Sequence, residues 1–207
     1  SIESAGFTPG QDMAISLDIA ASEFGRSGRY RLGFEARELD SDGLSELLLG
    51  WCERYPIVAV EDPLAEDDPE GLKRFTAAVG GRIQVIGDDF LVTDARRIEA
   101  AARDGTVNAV LVKVNQAGTV TEARAALEAG RRAGFGTIVS ARSGETEDVA
   151  IAHLAVGWDA KQIKVGSFAR SERMAKWNEL LRIEEAGLPF AGMSGLAGPA
   201  SPPQKNA

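Results

Sequence analysis

The sequence predicts an α/β fold built on a parallel β-sheet, and three observations support this. Six short runs rich in Val, Ile and Leu recur along the 207 residues, and each run ends in polar residues. Helical patterns lie between most of these runs. The polar ends Asp88, Lys113, Ser140 and Lys164 follow one another about every 25 residues, the period of a strand–helix unit with a right-handed crossover. The apolar runs span residues 14–20, 57–63, 83–89, 109–116, 137–143 and 162–167.

Capping residues indicate where the connecting helices begin and end. Thr93 is predicted to cap a helix over 93–105, which Gly105 ends, and the same design recurs over 118–134. The most amphipathic pattern predicts a long helix over 171–187. Thr146, followed by two acidic residues, predicts a helix directly after the segment "SARSGE". A helix is also expected near 43–54, and residues 21–40 before it predict an inserted hairpin or ordered loop.

Composition limits the class of protein. The net charge of −8 makes a nucleic-acid surface improbable, and no apolar run reaches membrane-spanning length. The single Cys52 excludes an intrachain disulfide and fits a reducing cytoplasm. Residues 188–207, rich in Gly, Pro, Ala and Ser, predict a flexible tail after a domain over 1–187. Because the chain opens on Ser1, we expect it to be part of a longer protein.

Acidic side chains end the first three predicted strands. These are Asp18, Glu61 and Asp88. The carboxyl ends of parallel strands form a common mouth, and α/β proteins hold their chemistry there. Carboxylates that gather in a cleft repel one another unless a cation compensates them. Oxygen ligands of this kind suit Mg²⁺, so the pattern predicts a magnesium site, although any one Asp at a strand end has the alternative of capping a helix.

Cations and hydroxyls end the next three strands. Lys113 and Lys164 lie in otherwise apolar runs, where a lysine is costly unless it points into a polar cavity. Arg142 and Ser143 stand at the end of the fifth run. Together these residues predict an anionic substrate such as a phosphate or carboxylate. Arg142 also has the simpler alternative of pairing with an acidic neighbour at the surface.

Longer motifs carry a resemblance to a known family. They are "LDIAASEF" (17–24), "VEDPLAEDDPEGLKRF" (60–75), "GDDFLVTD" (87–94), "LVKVNQAGTVTEA" (111–123), "SARSGETED" (140–148) and "QIKVGSFARSERMAKWNELLRIEE" (162–185). In this order the sequence resembles enolase (phosphopyruvate hydratase) from about residue 9 to 187. The resemblance implies an enolase-type TIM-like (β/α) barrel, of which about six βα units lie in this chain.

The resemblance also implies an activity and roles for the residues at the strand ends. The reaction is the reversible, Mg²⁺-dependent dehydration of 2-phosphoglycerate to phosphoenolpyruvate in glycolysis. Asp18, Glu61 and Asp88 match the Mg²⁺ ligands, and Lys113 matches the base that takes the proton from carbon 2. Lys164 matches the contact to the substrate carboxylate, while Arg142 and Ser143 match the phosphate-binding pair. A cytoplasmic location and a homo-oligomer, dimer or larger, are expected.

Two departures from the enolase pattern keep other functions open. Ala141 stands where the motif usually has a histidine, and the earliest barrel strands and the capping domain are not among the matched motifs. One alternative is a diverged enzyme acting on a phosphonate, of the carboxyphosphonoenolpyruvate synthase type. The other is a non-catalytic truncated barrel that serves as a metal-binding or interaction module.

Overall fold

The computed structural model describes residues 1–79 and 81–196. Within these ranges the strands are β1 (Ile15–Asp18), β2 (Gly25–Arg26), β3 (Arg29–Leu32), β4 (Arg37–Asp40), β5 (Ile57–Glu61), β6 (Gln84–Gly87), β7 (Ala109–Val112), β8 (Gly136–Ser140) and β9 (Gln162–Lys164). The helices are α1 (Ser41–Arg54), α2 (Pro69–Val79), α3 (Ala95–Asp104), α4 (Val114–Ala117), α5 (Val120–Arg132), α6 (Ala150–Gly157) and α7 (Ser171–Glu184).

The main sheet confirms the predicted α/β fold. Its six strands are parallel and follow the order β1-β5-β6-β7-β8-β9, so each predicted apolar run supplies one strand. Helices connect successive strands from β5 onward, as right-handed crossovers require. The sheet is curled, because a side chain on edge strand β9 reaches one on the opposite edge strand β1. A curled parallel sheet wrapped by helices is part of a TIM-like barrel.

The two faces of the sheet pack differently. Side chains at alternate positions, such as Val60, Val85 and Val110, join a large core with the helices. Their neighbours in sequence form a second cluster that contains strand residues alone: Ala59, Ile86, Ala109, Leu111 and Ile138. This alternation follows from the period of two along a strand. Both faces are buried, which explains why the strands read as continuous apolar runs.

Residues 21–40 form the predicted insertion as a three-stranded antiparallel sheet, β2-β3-β4. Tyr30 of β3 is fully buried, and its hydroxyl donates to Asp68 Oδ2 at 2.9 Å. The same hydroxyl accepts the backbone N–H of Ala65 at 3.0 Å. Ser41 Oγ also donates to Asp68 Oδ2, at 2.5 Å. These bonds dock the insertion on the loop that follows β5, close to the carboxyl end of the main sheet.

The predicted cap of α3 was wrong by one residue. Asp94 caps the helix, since its Oδ1 accepts from Arg96 N at 2.8 Å and Arg97 N at 3.1 Å. Thr93 has a left-handed φ of 55° and is buried, so its hydroxyl faces other partners. Either residue type caps helices well, so sequence alone could not choose between them.

The helix predicted directly after "SARSGE" begins later than expected. Thr146 Oγ1 accepts from Asp148 N at 3.2 Å, and Asp148 Oδ1 accepts from Ala150 N at 2.8 Å. These local side-chain bonds form turns that compete with the helix, so α6 starts only at Ala150. A helix N-terminus therefore does not directly follow Arg142.

The C-terminal segment differs in part from the sequence prediction. The helix over 171–187 forms as α7, but Lys176 is its only fully buried residue, so it is less amphipathic than its pattern indicated. Of the predicted flexible tail, residues 197–207 lie outside the described residues, and a 3-10 turn forms over Gly192–Gly195. The domain boundary near residue 187 stays a prediction. None of the described helices combines the length and apolarity needed to cross a bilayer.

Candidate active site

The register of the main sheet brings the predicted site residues to one mouth. Asp18 is paired with Glu61 across β1 and β5, and Ser140 is paired with Lys164 across β8 and β9. Asp88 is the first residue after β6, and Lys113 is the first after β7. Lys113 was expected inside an apolar strand, yet β7 ends at Val112 and Lys113 precedes the short helix α4. Its side chain therefore lies at the carboxyl end of the sheet.

Lys164 links two of the predicted metal ligands. Its Nζ lies 2.7 Å from Asp18 Oδ2 and 2.7 Å from Glu61 Oε2. Burial alone would lower the pKa of Lys164, but the attraction of Glu61 and Asp18 outweighs it, so the pKa is raised. Lys164 is therefore held as a cation between the two carboxylates.

Glu61 is the most buried carboxylate of the predicted set, with a side chain 3% exposed. Burial raises its pKa to about 7, although the ion pair with Lys164 acts in the opposite direction. Its second oxygen, Oε1, is buried and has no hydrogen-bond partner in the described part of the chain. A buried oxygen of this kind fits a ligand position for a cation at the mouth.

A ring of hydrogen bonds fixes Asp88 and Lys113. The Lys113 ammonium donates to Asp88 Oδ2, and Gln116 Nε2 donates to Asp88 Oδ1 at 2.9 Å. Thr93 Oγ1 donates to Gln116 Oε1 at 2.6 Å and accepts the backbone N–H of Lys113 at 3.0 Å. Thr93 was predicted as a helix cap, so this role was missed. The one signal in the sequence was that Gln116 follows Lys113 by one helical turn, which says nothing about Thr93.

A second acidic group overlaps the predicted metal ligands. Carboxylate oxygens of Asp62, Asp88 and Asp89 lie within 4.8 Å of one another and could hold a metal ion. Asp62 has a left-handed φ of 40°, and its two oxygens accept from Asp88 N at 3.0 Å and Asp89 N at 2.8 Å. Burial raises the pKa of Asp62 to about 7. Since backbone amides already occupy both of its oxygens, Asp62 fixes the backbone at the end of β6. Asp88 belongs both to this acidic group and to the predicted metal ligands.

The predicted phosphate pair lies on the loop after β8. Arg142 N donates to Glu145 Oε1 at 2.7 Å, while the Arg142 guanidinium pairs with neither Glu145 nor Glu147 in the described ranges. The alternative of a simple surface ion pair is therefore wrong. Within the same ranges, neither the Arg142 nor the Ser143 side chain forms a hydrogen bond with the lysines or carboxylates at the mouth. The backbone connects them instead, because Ala141 N donates to Lys164 O at 2.9 Å.

A cavity of about 400 Å³ adjoins Asp18 between the inserted sheet and α1. Its lining includes Phe24, Leu44, Leu48 and Trp51 and is mainly apolar. Such a lining suits an apolar group and offers little to a doubly charged anion. The charged residues at the mouth of the main sheet are therefore the better candidate for the active site.

Comparison with known protein families gives a match that spans the described part of the chain. Residues 1–196 match the family model described as "Enolase, C-terminal TIM barrel domain". The curled parallel sheet agrees with that description, as does the meeting of charged residues at its carboxyl end. The chain belongs to the enolase family, as a region of its C-terminal TIM-barrel domain.

Proposed function

We propose that this chain is the barrel region of an Mg²⁺-dependent lyase that interconverts 2-phosphoglycerate and phosphoenolpyruvate in glycolysis. One observation carries the proposal. At the mouth of an enolase-family barrel, both lysines expected to act on the substrate are ion-paired with carboxylates expected to bind the metal. Charges arranged in this way favour binding of a small substrate that carries a carboxylate, a phosphate and a proton to be removed.

Lys113 is proposed as the base that removes the proton from carbon 2. Its Nζ pairs with Asp88, and its side chain is 12% exposed, so few water molecules compete for it. Only the neutral amine form of Lys113 can accept the proton from carbon 2. Hydrogen bonds from Gln116 and Thr93 fix the orientation of Asp88 and Lys113 relative to a substrate at the mouth. A base must lie within hydrogen-bond reach of its proton, so this orientation matters as much as its basicity.

Lys164 is proposed to bind the substrate carboxylate, and Arg142 and Ser143 to bind the phosphate. Lys164 has a raised pKa, because Glu61 and Asp18 outweigh its burial, so it is a cation at neutral pH and suits a carboxylate. The planar guanidinium of Arg142 suits a phosphate, and it has no competing ion pair in the described ranges. The resemblance assigns the proton donor for the departing hydroxide to barrel strands other than these six.

Asp18, Glu61 and Asp88 are the residues proposed to hold Mg²⁺. The buried, unpartnered Oε1 of Glu61 supports this donor set, as does the oxygen chemistry of all three side chains. When bound, Mg²⁺ would stabilise the negative charge that develops on the substrate carboxylate as the proton leaves. The protein's part is to keep the three carboxylates and two lysines at one mouth.

A phosphonate substrate is the second candidate, and Ala141 is the observation that favours it. Ala141 is 7% exposed and lies beside Lys164 through its backbone hydrogen bond. A methyl group in place of an imidazole changes the donors available next to the proposed phosphate site. An enzyme of the carboxyphosphonoenolpyruvate synthase type would use the same base and metal ligands with a different anion.

The test is Mg²⁺-dependent formation of phosphoenolpyruvate from 2-phosphoglycerate. It is run on the 207-residue chain and on a longer version that adds the preceding barrel strands of an enolase. Turnover that disappears in Lys113→Ala and survives in Lys161→Ala supports the proposal, since Lys161 is exposed and pairs only with Asp159 in the described ranges. Turnover of a phosphonate alone would favour the second candidate. Mg²⁺ binding with no turnover of either would favour a non-catalytic module.

We also propose a cytoplasmic homo-oligomer. The resemblance to enolase supports the oligomer, because enolase relatives are commonly dimers or larger. Light scattering after size-exclusion chromatography measures the mass of the particle, and a monomer at micromolar concentration would contradict the oligomer.

A further inference from the structure

The anion loop, defined here as residues 141–149, carries the proposed phosphate-binding residues Arg142 and Ser143. We propose that Lys176 and Arg173 of α7 are positioning residues, which hold the anion loop in the shape needed to bind a phosphate. This inference rests on the proposed function, since it names what fixes the phosphate site. Both donate to backbone carbonyls of the anion loop, so each acts through the loop.

Lys176 is the first support for this inference, because it is a lysine with no exposed surface. Its Nζ donates to Thr146 O at 2.7 Å and to Glu172 O at 3.0 Å, and it lies 3.2 Å from Glu145 Oε2. An ammonium has three donors, so these acceptors match it completely. Two of the three belong to the anion loop. Burying the charge is therefore favourable only while the loop keeps this conformation.

Glu145 extends the effect of Lys176 to the phosphate pair. One of its oxygens pairs with Lys176, and the other accepts the backbone N–H of Arg142 at 2.7 Å. A single carboxylate thus connects the buried cation to the main chain of Arg142. Methionine would fill the same space as Lys176 without the cost of burying a charge, so packing alone does not explain a lysine here.

Arg173 supplies a second, separate connection. Its Nη2 donates to Ser143 O at 3.0 Å, and its Nη1 donates to Val165 O at 2.9 Å. Val165 directly follows Lys164, the proposed carboxylate contact. One guanidinium therefore fixes the distance between the segment that would bind the phosphate and the segment that would bind the carboxylate. That distance must match the separation of the two anionic groups in one small substrate.

The test measures binding of inorganic phosphate to the 207-residue chain and its variants. Shifts of the Arg142, Ser143 and Gly144 amide resonances report occupancy of the anion loop. Lys176→Met and Arg173→Met are compared with Arg182→Met, which removes an equal charge from an exposed position of the same helix. We expect at least about a tenfold loss of phosphate affinity in the first two and less than about a twofold change in the third.

Affinity is measured at a temperature where circular dichroism shows each variant fully folded, because a merely structural role would change the unfolding midpoint and leave affinity intact. If Lys176→Met does not fold, Arg173→Met decides alone. Equal phosphate binding by the starting chain and both variants would overturn the positioning role while leaving the proposed function standing. If the starting chain itself binds no phosphate, the phosphate site of the proposed function fails, and the positioning role with it.

Discussion

Lys164 Nζ lies 2.7 Å from Asp18 Oδ2, although the two residues belong to opposite edge strands of the main sheet. In a flat sheet, five strand spacings would separate those edges by about 24 Å, far beyond the reach of a lysine side chain. The ion pair therefore requires the sheet to curl until its two edges converge at the carboxyl end. The same curl brings every charged strand end toward one mouth.

Removing the Lys164 cation should destabilise the chain. Lys164→Met leaves the buried Glu61 carboxylate without its partner, which we expect to lower the free energy of unfolding by about 1–3 kcal/mol, since Lys164 itself is partly exposed. Urea titration followed by circular dichroism measures this loss. Adding Glu61→Gln to the same chain should recover part of it, because the unpaired charge is then removed. No recovery in the double variant would show that Glu61 does not need a cation.

Removing Gln116 should weaken metal binding without unfolding the protein. Gln116→Leu removes the donor that holds Asp88 Oδ1, so Asp88 keeps only its contact with Lys113 and is less firmly oriented. We expect Mg²⁺ affinity to fall by about tenfold, as is usual when the partner of a metal ligand is lost. Isothermal titration calorimetry measures the affinity. Asn115→Ala, at the exposed neighbouring position, is the matched control, and equal losses in both variants would contradict the prediction.

Tyr30 should anchor the inserted sheet through its hydroxyl. Tyr30→Phe keeps the ring but leaves the buried N–H of Ala65 without an acceptor, and we expect a cost of about 1–3 kcal/mol in unfolding free energy. Thermal and urea denaturation measure it. Tyr55→Phe removes the hydroxyl of a half-exposed tyrosine and should cost little. Equal stability of the Tyr30 variant and the starting chain would mean that the hydroxyl does not dock the insertion.

Asp94 should stabilise α3 in a pH-dependent way. Its carboxylate accepts backbone N–H groups from Arg97 and Arg96, which lower its pKa below the ordinary 3.8. A lowered folded-state pKa gives stability that is present above the ordinary value and is lost as the pH falls through the folded-state value. Asp94→Ala should therefore cost about 1 kcal/mol at pH 7 and progressively less below about pH 4. A cost that is independent of pH, measured by urea titration at several pH values, would contradict this account.

The strands, and the meeting of their charged ends at one mouth, could be predicted from the sequence, because both depend on local pattern. The roles of the residues at that mouth stay predictions. Apolar runs of β-branched residues that end in a charged residue can be found without knowing the tertiary structure. The positions of Asp18, Glu61 and Lys164 near strand ends follow directly from these runs. Once parallel strands are inferred, their carboxyl ends must meet. The ion pairs of Lys164 with Asp18 and Glu61 result from this meeting of the carboxyl ends.

The supporting residues could not be predicted, since their partners are distant in sequence. The residues near Thr93 in sequence do not show whether its side chain caps a helix or contacts Gln116, which lies 23 residues away. Lys176 reads as an ordinary exposed lysine until its contact with Thr146, 30 residues earlier, is known. The helix predicted within 141–149 was wrong for a different reason. The side chains of Thr146 and Asp148 bond to nearby backbone in place of starting a helix, and helix-start patterns do not distinguish these outcomes.

Deuterium incorporation at carbon 2 of 2-phosphoglycerate tests the central claim most directly. The exchange needs the base, the metal site and the residues that bind the substrate, but it does not depend on the departure of hydroxide. In D₂O with Mg²⁺, the 207-residue chain and Lys161→Ala should incorporate deuterium at carbon 2, and Lys113→Ala should not. Proton NMR of the substrate follows the loss of the carbon 2 signal. No exchange by the starting chain, or equal exchange by Lys113→Ala, would contradict the assignment of Lys113 as the base of an enolase-type site.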